Sequence, residues 1–200
     1  MSLNETIEAG VGKKVALFDE DQPRFGVRGI LAGVYLALGT AFAGVVGQVR
    51  NRVLPGLGGQ VFAALFGLGL FAIVVLNAEL ATGSMMFMSY GATTRQITWA
   101  KAIWVVFMTT VYNVIGVAII GAALAMSAKF ADMDATHLLS TISQDKLVKS
   151  PEGLIVEAIV ANFVVNMAIL AGIFAQEVVS KFFAIVPIIA IFVGLSSVHV

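Results

Sequence analysis

The chain contains the polar stretch Asn77-Ala78-Glu79-Leu80-Ala81-Thr82-Gly83, which interrupts an otherwise apolar segment between about residues 60 and 90. Neither flank alone comfortably supplies the roughly 20 residues that a helix needs to cross about 30 Å of hydrocarbon. Non-helical backbone at membrane depth is tolerated only where it is buried in protein or lines a wet cavity. A broken hydrophobic segment is also the best sequence indication of a transport site. We therefore predict a discontinuous helix with a polar loop at mid-membrane. The alternative is two short surface helices joined by a turn.

The composition excludes most other classes of protein. Of the 200 residues, 59% are hydrophobic and 12% charged, and the mean hydropathy is +0.96. Soluble domains carry about 25% charged residues, so an ordinary cytosolic domain and a disordered chain are excluded. Lys plus Arg and Asp plus Glu are 12 each, which leaves no net field to attract nucleic acid. Cysteine is absent, which excludes disulfides, iron–sulfur clusters, thiol nucleophiles and cysteine zinc sites. A polytopic membrane protein remains.

The other apolar segments complete the predicted organisation. They are residues 27–49, 98–128, 152–175 and 178–195. The acidic stretch 1–26 lacks the basic and then apolar pattern of a signal peptide, and we predict a cytoplasmic segment there, followed by a transmembrane domain over 27–200. Positive charges support this orientation, with seven predicted inside and five outside. The seven are Lys13, Lys14, Arg24, Arg28, Arg95, Lys101 and Lys181, and the five are Arg50, Arg52, Lys129, Lys146 and Lys149.

The segments also suggest a repeat. The last segment turns polar from Gly194 to His199, so we predict a second broken helix there. A three-helix unit over 27–128 would be followed by a polar loop at 129–151 and an incomplete second unit at 152–200. A unit with an odd number of spans inserts upside-down when repeated, which produces an inverted repeat. We expect an all-α polytopic fold with broken second and fifth helices, in a fragment that lacks the sixth helix.

Each isolated polar residue inside the apolar segments can have a structural or a functional role. We favour an interhelical hydrogen bond for Asn113. Asn162 and Asn166 are four residues apart and share one helix face, where they line a cavity or hold helices together. Glu79 is expected to cap backbone donors at the start of the following half-helix. His137 is expected to be solvated.

Several motifs, taken in order, resemble those of the formate/nitrite transporter family. They are Ala32-Gly33-Val34-Tyr35-Leu36-Ala37-Leu38-Gly39, Glu79-Leu80-Ala81-Thr82-Gly83, Asn113-x-x-Gly116 and Ala161-Asn162-Phe163-Val164-Val165-Asn166. The resemblance covers nearly the whole chain. It implies an aquaporin-like fold in the cell inner (plasma) membrane, a homopentamer with one pore in each protomer, and passage of small monovalent anions or their acids, such as formate, nitrite, lactate or hydrosulfide. No cofactor, metal or nucleic acid is expected.

The resemblance also assigns pore residues by position. They are Phe66 and Phe192 for an aromatic constriction, Leu70 and Leu80 for a second constriction, Thr82 for the loop hydroxyl, Asn162 for a substrate amide, Lys146 for the vestibule lysine and His199 for the central histidine. Lys146 precedes Asn162 by the family's 16 residues, and Lys149 is the alternative. The chain departs from the family pattern at Ala81, where a bulky aromatic is common, and at Val198, where an acid is common.

A mechanism follows as a hypothesis. An anion between Phe and Leu side chains pays a desolvation cost on the order of tens of kcal/mol, whereas the neutral acid pays far less. Histidine, with a reference pKa of about 6.5, is a suitable proton donor. Lys146 would attract the anion, Thr82 and Asn162 would hydrogen-bond it, and His199 would share or donate a proton.

Three rival functions are also compatible with an apolar, helical chain. An aquaporin-like channel for neutral solutes is the main alternative, although the paired Asn-Pro-Ala signature is absent. An intramembrane enzyme lacks an HExxH or GxSxG motif, so we expect no enzyme. A purely structural subunit would not need broken helices, because they cost stability without improving packing.

Overall fold

A computed structural model of the chain describes residues 2–131 and 133–197, and every regular secondary-structure element among these residues is a helix. The helices are α1 Leu3–Glu20, α2 Gln22–Val53, α3 Leu57–Val75, α4 Ala81–Thr93, α5 Trp99–Ala125, α6 Leu138–Leu147, α7 Pro151–Phe174 and α8 Val178–Ser197. Among the described residues, four helices are long and apolar enough to cross a membrane, namely α2, α3, α5 and α7. α8 adds a shorter apolar stretch, Val178–Gly194.

The polar N-terminal stretch is structured. α1 begins with a reciprocal capping box between Ser2 and Glu5, which satisfies two backbone donors at the helix start. The Asp21 carboxylate accepts the Arg24 N–H at 3.1 Å, and Pro23 lies in the first turn of α2, where its fixed φ suits a helix start. α2 therefore begins at Gln22, five residues before the predicted apolar segment, because the cap and not the hydropathy determines where the helix begins.

Glycines bring α2 and α5 into close contact. A Cβ added to Gly33 would overlap the Asn113 carbonyl oxygen, and one added to Gly116 would overlap the carbonyl oxygen of Ile30. Small residues allow such close backbone approach between helices in lipid. α2 also packs along α3, and α3 packs on α8, so α2 and α3 form the centre of the bundle.

The interruption of the second segment is shorter than expected. α3 ends at Val75 and α4 begins at Ala81, so only residues 76–80 leave the helix. Asn77 adopts φ 56°, a left-handed conformation that asparagine tolerates better than most residues. Thr82 and Gly83 belong to the first turn of α4 and not to the loop, which corrects their predicted position. The reason is that the Asn113 side chain of α5 accepts a hydrogen bond from the Ala81 N–H and so caps the helix there.

The second predicted interruption does not begin where expected. α8 is helical through Gly194 to Ser197 and contains Pro187, because a lone glycine and two serines do not by themselves end a helix in an apolar run. The rest of that prediction, including Val198 and His199, lies outside the described residues. The predicted polar loop 129–151 contains α6, whose Leu138 and Leu139 side chains contact Gly47 and Gly44 of α2 respectively.

Candidate functional site

The junction between the loop and α4 is held by one side chain of α5. The Asn113 amide nitrogen donates to the Gly29 carbonyl at 2.8 Å and to the Glu79 carbonyl at 2.9 Å. Its oxygen accepts the Ala81 N–H at 2.9 Å. The N-cap residue of α4, Leu80, supplies no side-chain bond of its own. The predicted interhelical hydrogen bond of Asn113 is confirmed, and the same amide caps α4.

The side chain of Glu79 is directed toward α1 and not toward the start of α4. Its backbone N–H donates to the Arg28 carbonyl at 3.1 Å, and its carboxylate forms an ion pair with the Lys14 ammonium of α1. Glu79 is 4% exposed. The predicted capping role of Glu79 is wrong, because Asn113 supplies the acceptor and the carboxylate turns to α1 instead. Sequence reasoning could not foresee this pair, whose members are 65 positions apart.

A cavity of about 1020 Å³ lies between α1 and the loop. Leu80 and the α7 residues Ile169 and Ile173 form part of its apolar wall. Seven charged side chains line it: Lys13, Lys14, Arg24, Arg28, Glu20, Asp21 and Glu79. Four are cations and three are anions, so the lining carries an excess of one positive charge. In the sequence analysis these four cations served only to predict the orientation of the chain in the membrane. Their clustering around the start of the first span could also have indicated a vestibule.

The predicted constriction residues occupy different environments. Leu80, 8% exposed, lines the cavity. Leu70 is 3% exposed in the core, and Phe66 and Phe192 are partly buried against that core. The rings of Phe66 and Phe62 lie 5.6 Å apart. Within the described part of the chain, the cavity lining includes Leu80 but not the other three residues.

Two buried oxygens, one on α4 and one on α7, have no hydrogen-bond partner among the described residues. They are Thr82 Oγ1 and Asn166 Oδ1. The Asn162 amide nitrogen is 2.9 Å from the Met85 sulfur, and the Asn166 amide nitrogen donates to the Asn162 oxygen. An unpaired buried polar group costs about 1–3 kcal/mol. The arrangement therefore suits a small ligand or water that donates a hydrogen bond. Asn166 was noticed for its spacing from Asn162 but not assigned to the pathway.

The predicted lysines lie elsewhere. Lys146 is exposed on the last turn of α6, and the Lys149 ammonium pairs with Glu157 at 2.6 Å. Neither lines the cavity beside α1. The structure does not bring Lys146 together with Leu80, and it says nothing of His199.

His137 is the N-cap residue of α6, and it is partly exposed. Its Nδ1 accepts the Leu139 N–H at 3.2 Å at the start of α6. Burial lowers the pKa of His137, opposed by Asp134 and reinforced by Arg52. The neutral ring is therefore the form that fits this position.

The protein has apolar helices long enough to cross a membrane, and the chain leaves the helix between α3 and α4. A cavity with charged lining lies against that interruption. These features are typical of an integral membrane protein of the transporter class. A family model described as formate/nitrite transporter matches residues 2–200. The chain belongs to the formate/nitrite transporter family.

Individual proteins agree with this assignment. The chain is 28% identical over 193 residues to "Formate channel BtFdhC" of Bacillus thuringiensis, which covers 92% of this chain and 70% of that protein. A solved structure titled "FNT family ion channel" superposes with a TM-score of 0.85 at 22% identity, covering 96% of this chain and 76% of the other. A second, "Pentameric formate channel with formate bound", has a TM-score of 0.73 at 23% identity, covering 88% and 69% respectively.

Proposed function

We propose that this protein is a channel or transporter for small monovalent anions or their conjugate acids, with formate as the first substrate to test. Family membership and the similarity to a formate channel support this substrate class. The observation that carries the proposal is the apolar Leu80 at the wall of a cavity whose charged lining has one excess positive charge, with buried oxygens that have no partner among the described residues on the first turn of α4 and on α7.

The charge distribution suits a weak acid. Four cations against three anions around the cavity raise the local concentration of a small anion. Leu80, Ile169 and Ile173 make part of the cavity wall apolar, so passage of the charged form along this wall costs more than passage of the neutral acid. Thr82 Oγ1 and Asn166 Oδ1 can accept a hydrogen bond from a protonated acid. The site therefore favours a species that arrives charged and crosses neutral.

The remaining roles in the pathway come from the family resemblance. In this proposal, His199 supplies the proton, Asn162 and Thr82 bind the substrate, and Lys146 concentrates anions at the opposite entrance. Phe66 and Phe192 with Leu70 and Leu80 form the two constrictions. The exposure of Lys146 is compatible with long-range attraction, which does not require direct contact with the substrate.

Flux of formate into liposomes containing the purified protein tests the mechanism. For His199→Asn we expect a loss of the pH dependence and a large fall in rate. An unchanged rate and pH profile would rule out the proton-donor role. For Lys146→Glu we expect a higher apparent KM, and an unchanged value would remove Lys146 from the pathway. Lys129→Glu, which changes a lysine of the same polar region, is the charge-matched control.

Urea and glycerol in the same vesicles test the alternative function. Uptake of these neutral solutes without pH-dependent formate flux would favour an aquaporin-like channel. Formate flux that rises as the pH falls, with neither neutral solute passing, would favour the proposal. Because formate, urea and glycerol are compared in the same vesicles, the amount of protein incorporated does not affect the conclusion.

We further propose a homopentamer in the plasma membrane with its N-terminus in the cytoplasm. The solved structure titled as pentameric supports the oligomeric state, and mass measurement of the detergent-solubilised protein tests it. Because the chain has no cysteine, Asn4→Cys provides one exposed thiol on α1. Its protection from an impermeant thiol reagent in intact cells, and its labelling after permeabilisation, would support a cytoplasmic N-terminus.

A further inference from the structure

Asn113 joins three separate parts of the protein through one amide. Its two N–H groups donate to α2 at Gly29 and to the loop at Glu79. Its oxygen accepts from the first residue of α4, Ala81. All three distances lie between 2.8 and 2.9 Å, which is the favoured range for N–H···O bonds. The Asn113 amide is a three-way clamp.

The close crossing of α2 and α5 makes this reach possible. Gly33 and Gly116 leave no room for a Cβ at the crossing, so the α5 backbone lies directly on α2. Asn113 is one turn from Gly116 on α5, and a short side chain there spans from α2 to the loop. A longer side chain would have to fold back on itself to make the same three bonds.

The clamp holds the backbone on both sides of Leu80. The Glu79 carbonyl and the Ala81 N–H both bond to Asn113, and the Glu79 N–H bonds to Arg28. Leu80 lies between these two tethered residues and is 8% exposed in the cavity wall. Thr82, with its unpartnered buried hydroxyl, follows one residue after the clamp.

We propose that Asn113 is a positioning residue that sets the size limit for the permeating acid by holding Leu80 and Thr82 in place. This inference rests on the proposed function. Asn113 touches backbone groups and not the substrate, so its effect passes through Leu80 and Thr82. Its removal leaves the Gly29 carbonyl, the Glu79 carbonyl and the Ala81 N–H without these bonds, and the Leu80 side chain gains freedom to move out of the path.

The ratio of lactate flux to formate flux in the same liposomes tests the positioning role. For Asn113→Ala we expect this ratio to rise at least fivefold, because a wider opening admits the larger acid preferentially. Asn113→Asp keeps the acceptor for Ala81 but loses both donors and places a carboxylate against two carbonyl oxygens, so the ratio should rise in the same direction. A merely structural role would lower both fluxes together and leave the ratio unchanged.

Thr110→Val is the matched control on α5. Its hydroxyl is exposed and bonds only to the Val106 carbonyl of its own helix at 2.8 Å, so its ratio should equal that of the unchanged protein. A ratio within twofold of the unchanged protein for both Asn113 variants would overturn the inference. Failure of both variants to assemble would also overturn it, in favour of a purely structural role.

Failure of the proposed function is recognised separately. If the unchanged protein conducts neither formate nor lactate, the proposed substrate class is wrong whatever the Asn113 variants do. If the unchanged protein conducts formate and the Asn113 ratio stays constant, only the positioning role is wrong.

Discussion

Replacing Glu79 with glutamine should release α1 from the loop. The Glu79 and Lys14 side chains are 6% and 15% exposed, and the Lys14 ammonium also lies 5.5 Å from the centre of the Phe87 ring. Removing one partner of a buried ion pair costs about 3–5 kcal/mol, because the other charge is left without compensation. α1 can avoid this cost by undocking, since Lys14 then regains water. The docked state should therefore lose most of that free energy relative to the undocked state.

A buried thiol on α1 measures the undocking. Val11 is 1% exposed, and the chain has no natural cysteine, so Val11→Cys reacts with a thiol reagent only when α1 lifts. A loss of about 3 kcal/mol corresponds to a labelling rate roughly a hundredfold higher in Glu79→Gln, since each 1.36 kcal/mol is a factor of ten. Lys13→Met, which neutralises the exposed neighbouring lysine, should change the rate by less than about threefold.

The double variant Lys14→Met with Glu79→Gln tests the reason for the effect. Replacing both members of a buried pair by neutral groups is often neutral or stabilising, so slow labelling should return. A rate for Glu79→Gln within twofold of the parent Val11→Cys protein would refute the assignment of this ion pair as the main tether of α1. A double variant as fast as the single one would show that lost packing, and not unpaired charge, causes the release.

Two further predictions concern helix packing and pH. Gly33→Ala should lower the thermal stability of the detergent-solubilised protein by about 1–3 kcal/mol, because its Cβ would overlap α5. Gly121→Ala on α5, where an added Cβ meets nothing within 4 Å, should leave stability unchanged or slightly raised, and equal losses in both variants would contradict the packing argument. The lowered pKa of His137 means that the folded state favours the neutral ring, so its contribution is fully present above the unfolded pKa of about 6.5 and is lost as the pH falls through the lower folded value. Hydrogen exchange of α6 should therefore accelerate as the pH drops below about 6.5, and His137→Asn should remove that dependence.

Hydropathy was sufficient to locate the long apolar helices, but it did not describe the interruption or predict the polar helices α1 and α6. The transfer free energy of an apolar run depends only on its own residues, so the segments that became α3, α5 and α7 could be read directly. The end of the loop at Ala81 depends on an acceptor from Asn113, 32 residues further along the chain. Sequence reasoning therefore placed Thr82 in the loop, whereas the structure places it on the first turn of α4.

Some residues of the candidate site could be assigned from the sequence, and others were recognised only in the structure. Leu80, Thr82 and Asn162 were assigned from motif positions. The structure places Leu80 on a cavity wall, and it buries the Thr82 hydroxyl oxygen without a hydrogen-bond partner among the described residues. Lys14, Arg24 and Arg28 had been counted only as charges for orientation. Lys14 reaches the cavity because α1 packs beside the loop, whereas Arg24 and Arg28 line it from the start of α2. No local sequence pattern predicts the docking of a polar helix such as α1.

The amino-acid sequence by itself determined that the chain is helical and membrane-embedded, because lipid leaves an apolar segment no other way to satisfy its backbone, and it determined where one of those helices must break. Only the tertiary structure decided which groups satisfy the break. Glu79 could have capped α4, lined a pore or paired with a cation, and all three are chemically reasonable. The outcome depends on the approach of α1 and α5, set by glycines and caps far from Glu79 in the chain, and such distances cannot be read from residue order.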